Sequence, residues 1–376
     1  MIYMDNAATS FPKAPGVGQA MLDYIENVGV NINRSVYVPA AEAGLQVLTL
    51  REKLCELFHH DSPNRVIFTA GATAALNFAI KGFLHEGDHV LVSAMEHNAV
   101  MRPLVQLGVD FDRIGCDGEG FLRLDSMEDL IRPETHLCII NHASNVCGSV
   151  QDVAAVSRIC QKHGIHLVLD ASQSAGHIPI DFQALGLAAL AVPGHKGLLG
   201  PQGIGALLLS KDFAESLSPL IAGGTGSMSD SEELPPYLPD RFESGTANLP
   251  GIYGWLAALE YLEEIGLEIR QQHELMLTER LIRGIAEIEG VSLVGSKDLD
   301  RRVAVVAVDY LRRDNAEAAD LLEQKFGILT RCGLHCAPSA HKTLGTFPRG
   351  VVRFSPGWNT TVEEIDQTLA AIAATV

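Results

Sequence analysis

The chain has 376 residues, of which 47% are hydrophobic and 20% are charged, a composition typical of a globular protein with two domains. Acidic residues outnumber basic ones by 46 to 28, which gives a net charge of −18, and no basic run points to a nucleic-acid partner. No apolar stretch reaches the ~20 residues of a membrane span, and the first residues lack the charged and apolar regions of a signal peptide. Seven cysteines, an odd number, favour free thiols in a reducing compartment, so we expect a cytoplasmic protein.

Strand-like and helical runs alternate over the middle of the chain. Helices are predicted from about Ala72 to Leu84 and near Val153 to His163. The predicted strands are Val66–Thr69, His89–Ser93, His136–Asn141, His166–Asp170, Ala189–Val192 and Ala206–Ser210. This alternation predicts a mostly parallel sheet with helices on both faces.

A stretch rich in Gly, Ser and Pro runs from Ala222 to Pro250, and a loop of this length is usually functional or marks a domain boundary. Two helices are predicted after it, from Tyr253 to Ile265 and then to about Glu289. The C-terminal third has the pattern of an α+β domain, with predicted strands Val303–Val308, Ile328–Arg331 and Val351–Phe354 and predicted helices Ala316–Phe326 and Val362–Ala373.

Two polar residues with complementary chemistry follow neighbouring strands. Asp170 ends one strand, and Lys196 follows another after Pro193-Gly194-His195. Ligands of open α/β sheets bind beyond the carboxyl ends of the strands, so we expect both side chains in one crevice. Lysine forms Schiff bases with carbonyl compounds, and pyridoxal phosphate (PLP) requires such a lysine and an acid at its pyridinium nitrogen. Taken singly, Asp170 is more typical of a helix cap and the lysine of an exposed turn.

Taken together, the segment from Asp170 to Lys196 and the glycine-rich chain behind it resemble the fold-type I PLP enzymes. In particular, they resemble the aminotransferase class V branch that contains second-group cysteine desulfurases and selenocysteine lyases. The resemblance extends from about Asp5 to Thr361. It implies an α/β fold-type I transferase whose large PLP-binding domain, residues 15–250, has a mostly parallel sheet, and whose small α+β domain combines residues 1–14 and 251–376.

A short motif is assigned to the cofactor phosphate. Gly71-Ala72-Thr73 opens a helix, where free N–H groups and the helix dipole favour a phosphate, although alone it is more typical of local capping. The family motif is Gly-Thr-Thr, so Thr73 remains as a donor while Ala72 does not. His195 is expected to contact the phosphate, and Pro193 replaces a serine of the family. We therefore expect somewhat weaker cofactor binding.

The resemblance also assigns residues to the pyridine ring. His97, in Met95-Glu96-His97-Asn98, stacks on the ring in the family and serves as an acid or base. Asn145 and Gln173 hydrogen-bond the phenolic oxygen. Asp170 keeps the ring nitrogen protonated, which makes the ring an electron sink for the substrate Cα carbanion.

A further match implies a composite active site. The segment from Arg241 to Asn248 resembles Arg-Phe-Glu-x-Gly-Thr-x-Asn of the family, with every specified residue in register. In the family the threonine, here Thr246, contacts the PLP phosphate of the partner subunit. The resemblance thus implies an obligate homodimer, whereas the motif without a partner would be an exposed loop.

Cys336 is the predicted sulfur carrier. It lies in a segment, residues 330–338, that resembles Arg-x-Gly-His-His-Cys-Ala of second-group desulfurases, in which the cysteine takes sulfur from the substrate as a persulfide. A free thiol titrates at about 8.5 and needs neighbouring positive charge or a histidine to react at neutral pH. Arg331, His335 and His341 are expected to supply this.

This segment also departs from the family. Leu334 replaces the first histidine of the family pair, and Cys332 is an additional thiol. A metal site built from the two cysteines and two histidines is an alternative, but their spacing fits no common zinc pattern closely, so no metal is expected.

Arg353, on a predicted strand, matches the family arginine that binds the substrate α-carboxylate. A guanidinium fits a carboxylate bidentately, although without the family match a surface ion pair is an equal interpretation. Arg34 and Asn33 belong to a segment that resembles Asn-x-His-Arg near the family active site. Arg34 matches this pattern, whereas Asn33 replaces its histidine.

The resemblance implies a PLP-dependent cysteine desulfurase that converts L-cysteine to L-alanine. Lys196, His97 and Cys336 are its expected catalytic residues, and a sulfur-acceptor protein is a candidate partner. Three alternatives remain open: a selenocysteine lyase, another class V enzyme such as a C–S lyase, an aminotransferase or an epimerase, and a catalytically idle scaffold or sulfur-carrier binding protein.

Overall fold

A computed structural model describes residues 1–32 and 37–376. Its strands are β1 (Ile2–Tyr3), β2 (Val66–Thr69), β3 (His89–Ser93), β4 (Asp110–Ile114), β5 (Thr135–Asn141), β6 (His166–Asp170), β7 (Ala189–Pro193), β8 (Gly205–Leu209), β9 (Val291–Val294), β10 (Val306–Tyr310), β11 (Ile328–Leu329), β12 (Arg331–Gly333) and β13 (Val351–Phe354). Its α-helices are α1 (Val17–Asp23), α2 (Val38–Phe58), α3 (Ala72–Phe83), α4 (Asn98–Leu107), α5 (Val153–His163), α6 (Lys211–Ser216), α7 (Leu249–Ile265), α8 (Leu267–Ala286), α9 (Asn315–Phe326), α10 (Pro338–Thr343) and α11 (Val362–Ala374).

The central sheet has seven strands in the order β2-β8-β7-β6-β5-β3-β4. The pairs from β7 to β4 are parallel, and β8 runs antiparallel to both β7 and β2. Strands β7 and β8 are buried along their whole length, as expected for continuous apolar runs that are covered on both faces. The prediction of an α/β fold with a mostly parallel sheet is confirmed.

Helices cover both faces of this sheet because alternate strand residues point to opposite sides. On β3, Leu91 packs in a core with α2, α5 and α7, whereas Val90 and Val92 pack in a second core with α3, α4 and α6. The carboxyl ends of β5, β6 and β7 lie side by side, with Asn141 paired to Asp170 and Asp170 paired to Ala191. The polar residues that follow these strands therefore share one edge.

The C-terminal sheet is antiparallel, in the order β12-β13-β10-β9, and α8, α9 and α11 pack on one face of it. The N-terminal strand β1 pairs in parallel with β11, and Ile2 and Met4 contribute to the same core. Helix α7, by contrast, packs through Trp255 and Leu259 in the core of the central sheet. We therefore propose that the small domain begins with α8, and that the N-terminal strand joins it.

Several elements are absent from the prediction. Helix α2 carries buried residues with helical spacing, among them Val47, Leu50 and Leu54, so its periodic signal was present in the sequence. Strand β4 lies at the sheet edge and is mostly polar, so it carried no such signal. Among the helices of the described chain, none combines the length and apolar character that crossing a bilayer demands.

Candidate active site

A cavity of about 430 Å³ opens at the carboxyl edge of the central sheet. The predicted cofactor residues line it, with the exception of Thr246: Ala72, Thr73, His97, Asn145, Asp170, Gln173, His195 and Lys196. They come from the segments that follow β2, β3, β5, β6 and β7, so the sheet topology alone brings them together.

One end of the cavity suits an anion. Helix α3 begins at Ala72 and directs the free N–H groups of its first turn toward this end. Gly71 precedes it with φ 145°, and Gly205 lies so close that an added Cβ would be 2.7 Å from the Gly71 Cα. His195 contacts Thr9 through Nδ1, and burial, followed by Lys196 and Lys13, lowers the pKa of His195 to about 4. His195 is therefore neutral at pH 7 and supplies a hydrogen bond instead of a charge.

The other end carries the groups predicted for the pyridine ring. The Asp170 carboxylate is buried and accepts hydrogen bonds from the N–H and hydroxyl of Ser172. His97 caps α4, where its Nδ1 accepts a hydrogen bond from Ala99, so a neutral His97 carries its hydrogen on Nε2. Burial lowers the pKa of His97, and Lys196 and Arg331 lower it further.

Two amide side chains also face this cavity. Asn145 donates from Nδ2 to the His335 carbonyl at 2.7 Å, and its buried Oδ1 has no hydrogen-bond partner in the described chain. Gln173 donates from Nε2 to the Ala7 carbonyl at 2.9 Å. The N-terminal segment thus closes one side of the site, a contact that the sequence analysis did not predict.

The pKa of Lys196 is lowered in a way that suits the chemistry of the site. Burial lowers the pKa of Lys196 from its ordinary 10.5 to about 8, with Arg353 and Arg331 acting in the same direction and Asp170 opposing them. About one lysine in ten is then neutral at pH 7, whereas an unperturbed lysine is almost entirely protonated. A neutral amine is the form that attacks a carbonyl and accepts a proton.

Arg353 is buried beside the cavity and already has partners. Its Nη2 donates to the Asp5 carboxylate at 2.6 Å, and its Nη1 donates to the Asn145 carbonyl at 3.0 Å. Nε is buried without a partner in the described chain, so the guanidinium keeps donor capacity. The predicted substrate residues Asn33 and Arg34 lie outside the described residues.

Cys336 lies at the rim of the site. Its side chain is exposed and lines a smaller cavity of about 250 Å³, together with Thr73 and His97, which also line the cofactor cavity. The Asn98 N–H at the start of α4 donates to the Cys336 carbonyl at 2.7 Å. His335 and Cys336 both have positive φ, 48° and 57°, a backbone strain that is common at functional sites.

Two of the groups expected to activate Cys336, His335 and His341, carry no positive charge at neutral pH. His335 and His341 stack on each other, and both are buried. Burial lowers the pKa of His335 to about 3 and that of His341 to about 4, so both are neutral at pH 7. The third predicted group, Arg331, is exposed on the edge strand β12.

Cys332 points away from the site. Strand β12 places Cys332 against the small-domain core with Val352, on the face opposite to Arg331. Burial raises the pKa of Cys332. In the part of the chain that the structure describes, no group of three or more His, Cys, Asp or Glu side chains is arranged to hold a metal ion.

Thr246 lines a different cavity, of about 460 Å³, which shares Ala70 and Ala74 with the cofactor cavity. Thr246 itself is exposed. It therefore does not contribute to the cofactor cavity of its own chain.

The sequence analysis missed two acidic residues that shape the site. Asp5 pairs with Arg353 across 348 positions of sequence, a distance that local patterns do not bridge. Glu96 is fully buried directly before His97, accepts hydrogen bonds from Ser93 and the Asn141 N–H, and has its pKa raised to about 8 by burial. The only sequence signal for Glu96 was its position directly before His97, a candidate site histidine.

The residues of the cavity fit PLP. The cavity offers an amine of lowered pKa, a strand-end carboxylate at Asp170, an unpartnered Asn145 Oδ1 and, at the opposite end, a helix N-terminus. The amine matches an aldehyde, the carboxylate a pyridine nitrogen, the amide oxygen a phenolic hydroxyl that donates to it, and the helix N-terminus a phosphate.

The profile of the Aminotransferase class-V family matches residues 2–368. A probable cysteine desulfurase from Methanothermobacter thermautotrophicus is 33% identical over 99% of this chain and 94% of its own length, and one from Halalkalibacterium halodurans is 32% identical over 92% and 86%. Among solved structures, the apo form of a cysteine desulfurase from Thermococcus onnurineus NA1 superposes with a TM-score of 0.92 at 30% identity, covering 99% of this chain and 94% of that one. With its full-length match, its PLP-compatible cavity and its fold, this chain belongs to the aminotransferase class-V family.

Proposed function

We propose that this protein is a PLP-dependent cysteine desulfurase that converts L-cysteine to L-alanine and carries the sulfur as a persulfide on Cys336. The relatives named above are cysteine desulfurases, and the cofactor is the one that the class V family uses. The observation that carries the proposal is the exposed Cys336 thiol at the rim of a cavity that contains Lys196, Asp170 and His97.

The proposed roles of the residues follow from their places in the cavity. Thr73, the first N–H groups of α3 and His195 would hold the phosphate, Asp170 the ring nitrogen, and Asn145 and Gln173 the phenolic oxygen. Bound PLP supplies an electron sink that stabilises negative charge on the substrate Cα.

Lys196 and His97 provide the proton transfers. Because the pKa of Lys196 is lowered to about 8, its neutral form is available at pH 7 to take the Cα proton and to return one. His97 is neutral as well and presents its Nε2 hydrogen, since Nδ1 is engaged by the α4 backbone. Arg353 would orient the substrate through its carboxylate, with its free Nε as an additional donor.

Cys336 removes the sulfur. Its thiolate attacks the sulfur of the substrate, an S–S bond forms while the substrate Cβ–S bond breaks, and the carbon skeleton gains a proton. The overall exchange is balanced without an oxidant: L-cysteine and the Cys336 thiol give L-alanine and a Cys336 persulfide. The exposure of Cys336 leaves that persulfide accessible to an acceptor, which we propose to be a protein or a small thiol.

Substitution of the two neighbouring cysteines tests the role of Cys336. Cys336→Ala is expected to bind PLP with normal visible absorption and to lose sulfide and alanine formation from L-cysteine. Cys332→Ala is the matched control and should retain both, because Cys332 packs in the small-domain core. Normal cysteine turnover by Cys336→Ala contradicts the mechanism, and turnover of selenocysteine alone assigns the protein as a selenocysteine lyase.

We also propose a homodimer with composite active sites. Two exposed apolar side chains line the Thr246 cavity, Leu48 on α2 and Ile221 in the loop after α6. Contiguous exposed apolar surface is typical of an interface, and Thr246 does not reach the cofactor cavity of its own chain.

Mixed dimers distinguish a composite site from two separate ones. If Thr246 serves the partner, coexpressed Lys196→Ala and Thr246→Ala chains form heterodimers with one intact site, and activity returns. If Thr246 serves its own chain, those heterodimers contain no intact site and show no gain over the Thr246→Ala homodimer.

The free cysteines indicate the cellular compartment. All seven cysteines lie in the described residues and none is in a disulfide. Free thiols on this scale are typical of a reducing environment, so we propose a cytoplasmic location.

A further inference from the structure

A buried ionic network lies directly behind Lys196. Arg270, on α8, donates from Nη1 to the carbonyl of Gly197, the residue after the lysine, and to the carbonyl of Gly176 at 2.8 Å. Its Nε donates to the Glu274 carboxylate at 2.9 Å. One guanidinium therefore joins two loops of the central-sheet edge to a helix of the small domain.

The Arg270–Glu274 pair at the centre of the network is almost completely sealed from solvent. Arg270 is 1% exposed and Glu274 is 2% exposed, and the second Glu274 oxygen lies 2.7 Å from His177 Nδ1. Burial alone would raise the pKa of Glu274, but Arg270 and His177 overcome it and lower the pKa to about 2. Buried ion pairs rarely gain stability over an apolar packing, so a structural purpose alone does not explain this one.

The two loops that Arg270 joins are in backbone contact. An added Cβ at Gly176, whose φ is +78°, would lie 2.3 Å from the Gly197 carbonyl oxygen, and a Cβ at Gly197 would lie 2.2 Å from the Ala175 oxygen. Neither loop can shift past the other without losing this contact. The peptide after Lys196 is therefore held from two sides, by glycine packing and by the Arg270 guanidinium.

We propose that Arg270 is a positioning residue for Lys196, and that Glu274 and His177 orient Arg270. Lysine has a long flexible side chain, so a fixed backbone origin reduces the positions that its amine can occupy. Because α8 packs in the small-domain core through Leu277 and Leu281, the network also links the lysine to that domain. This inference rests on the proposed function, since it takes Lys196 as the PLP-binding lysine.

The test measures how fast Lys196 captures PLP. PLP is added to apoprotein, the lysine linkage is reduced with borohydride at timed intervals, and peptide mass spectrometry quantifies the label on Lys196. The variants are Arg270→Met, Arg270→Lys and Glu274→Gln. Arg280→Met is the matched control, because Arg280 lies on the same helix as Arg270 and forms an exposed ion pair with Asp366 of α11.

The capture rate is expected to fall about tenfold or more in Arg270→Met, since a displacement of 1 Å can cost a hundredfold in rate. Arg270→Lys should recover part of the rate, and Arg280→Met should match the wild type. The visible circular dichroism per bound PLP should change in Arg270→Met, a signature that reduced stability alone does not produce.

Glu274→Gln keeps the size of the side chain but removes the negative charge that pairs with Arg270 and His177, so it should slow the capture as well, and it decides the question if Arg270→Met does not fold. A wild-type rate and unchanged circular dichroism in Glu274→Gln, or in a folded Arg270→Met, overturn the proposed role even if the melting temperature falls. Absence of label on Lys196 in the wild type instead overturns the proposed function itself. The two failures are therefore distinguishable.

Discussion

Replacement of Lys196 by methionine is expected to stabilise the apoprotein at neutral pH. Burial lowers the pKa of Lys196 from 10.5 to about 8, so the folded state disfavours the ammonium that the unfolded chain keeps. This lowering corresponds to an upper bound between about 3 and 4 kcal/mol at 1.36 kcal/mol per pKa unit. Because part of the side chain reaches the open cavity, we expect a gain of about 1–2 kcal/mol.

The sign of this effect fixes its pH dependence. A lysine whose pKa is lowered in the folded state reduces the stability of that state by the full amount below pH 8, where the lysine is protonated in both the folded and the unfolded chain. Between pH 8 and 10.5 the folded state releases its proton first, and the penalty shrinks. The advantage of Lys196→Met over the wild type should therefore be large at pH 7 and fall below about 1 kcal/mol at pH 10.

Urea unfolding of the two apoproteins at pH 7 and pH 10, followed by tryptophan fluorescence, measures this difference. Lys53→Met is the control: its side chain pairs with Glu263, which raises the pKa of Lys53, so its removal should bring no gain. A loss of stability in Lys196→Met at pH 7, or a difference that is equal at both pH values, refutes the reasoning.

Three further predictions follow from single contacts. Arg353→Lys should raise KM for L-cysteine with a smaller change in kcat, because an ammonium cannot bind a carboxylate bidentately; steady-state alanine formation checks this. Glu96→Gln should raise the melting temperature at pH 7 and not at pH 4.5, because burial raises the pKa of Glu96 and the fold then disfavours its carboxylate; thermal scans at both pH values decide it. Gly197→Ala should lower PLP occupancy, because its Cβ would lie 2.2 Å from the Ala175 oxygen; absorption of the purified variant measures the loss, and full occupancy contradicts the packing argument.

The cofactor end of the site was accessible from the sequence for a physical reason. Asp170 and Lys196 follow apolar strands, and parallel strands bring their carboxyl ends to one edge whatever the rest of the chain does. The order of motifs along the chain thus translated directly into a shared cavity. Thr73 and His195, which follow β2 and β7, line that cavity as well.

Contacts between distant segments were beyond local patterns. The pairing of Ile2 with Ile328 and the ion pair of Asp5 with Arg353 join the N-terminal segment to the C-terminal part of the chain. The Arg270 contact to Gly197 joins the small domain to the large one. The sequence alone also left the protonation state of His335 open, because the burial that lowers its pKa depends on the tertiary packing. Residue type indicates what a side chain can do, and only the surroundings decide its protonation.

The backbone of Cys336 is anchored while its side chain is free to rotate, and this bears on the proposed release of sulfur. Its carbonyl is held by the Asn98 N–H at the start of α4, while its side chain projects into solvent. Rotation about the Cys336 Cα–Cβ bond takes picoseconds to nanoseconds in an exposed residue, whereas loop opening takes far longer. If Cys336 carries the sulfur as proposed above, delivery to an acceptor requires a change of rotamer and no opening of the loop.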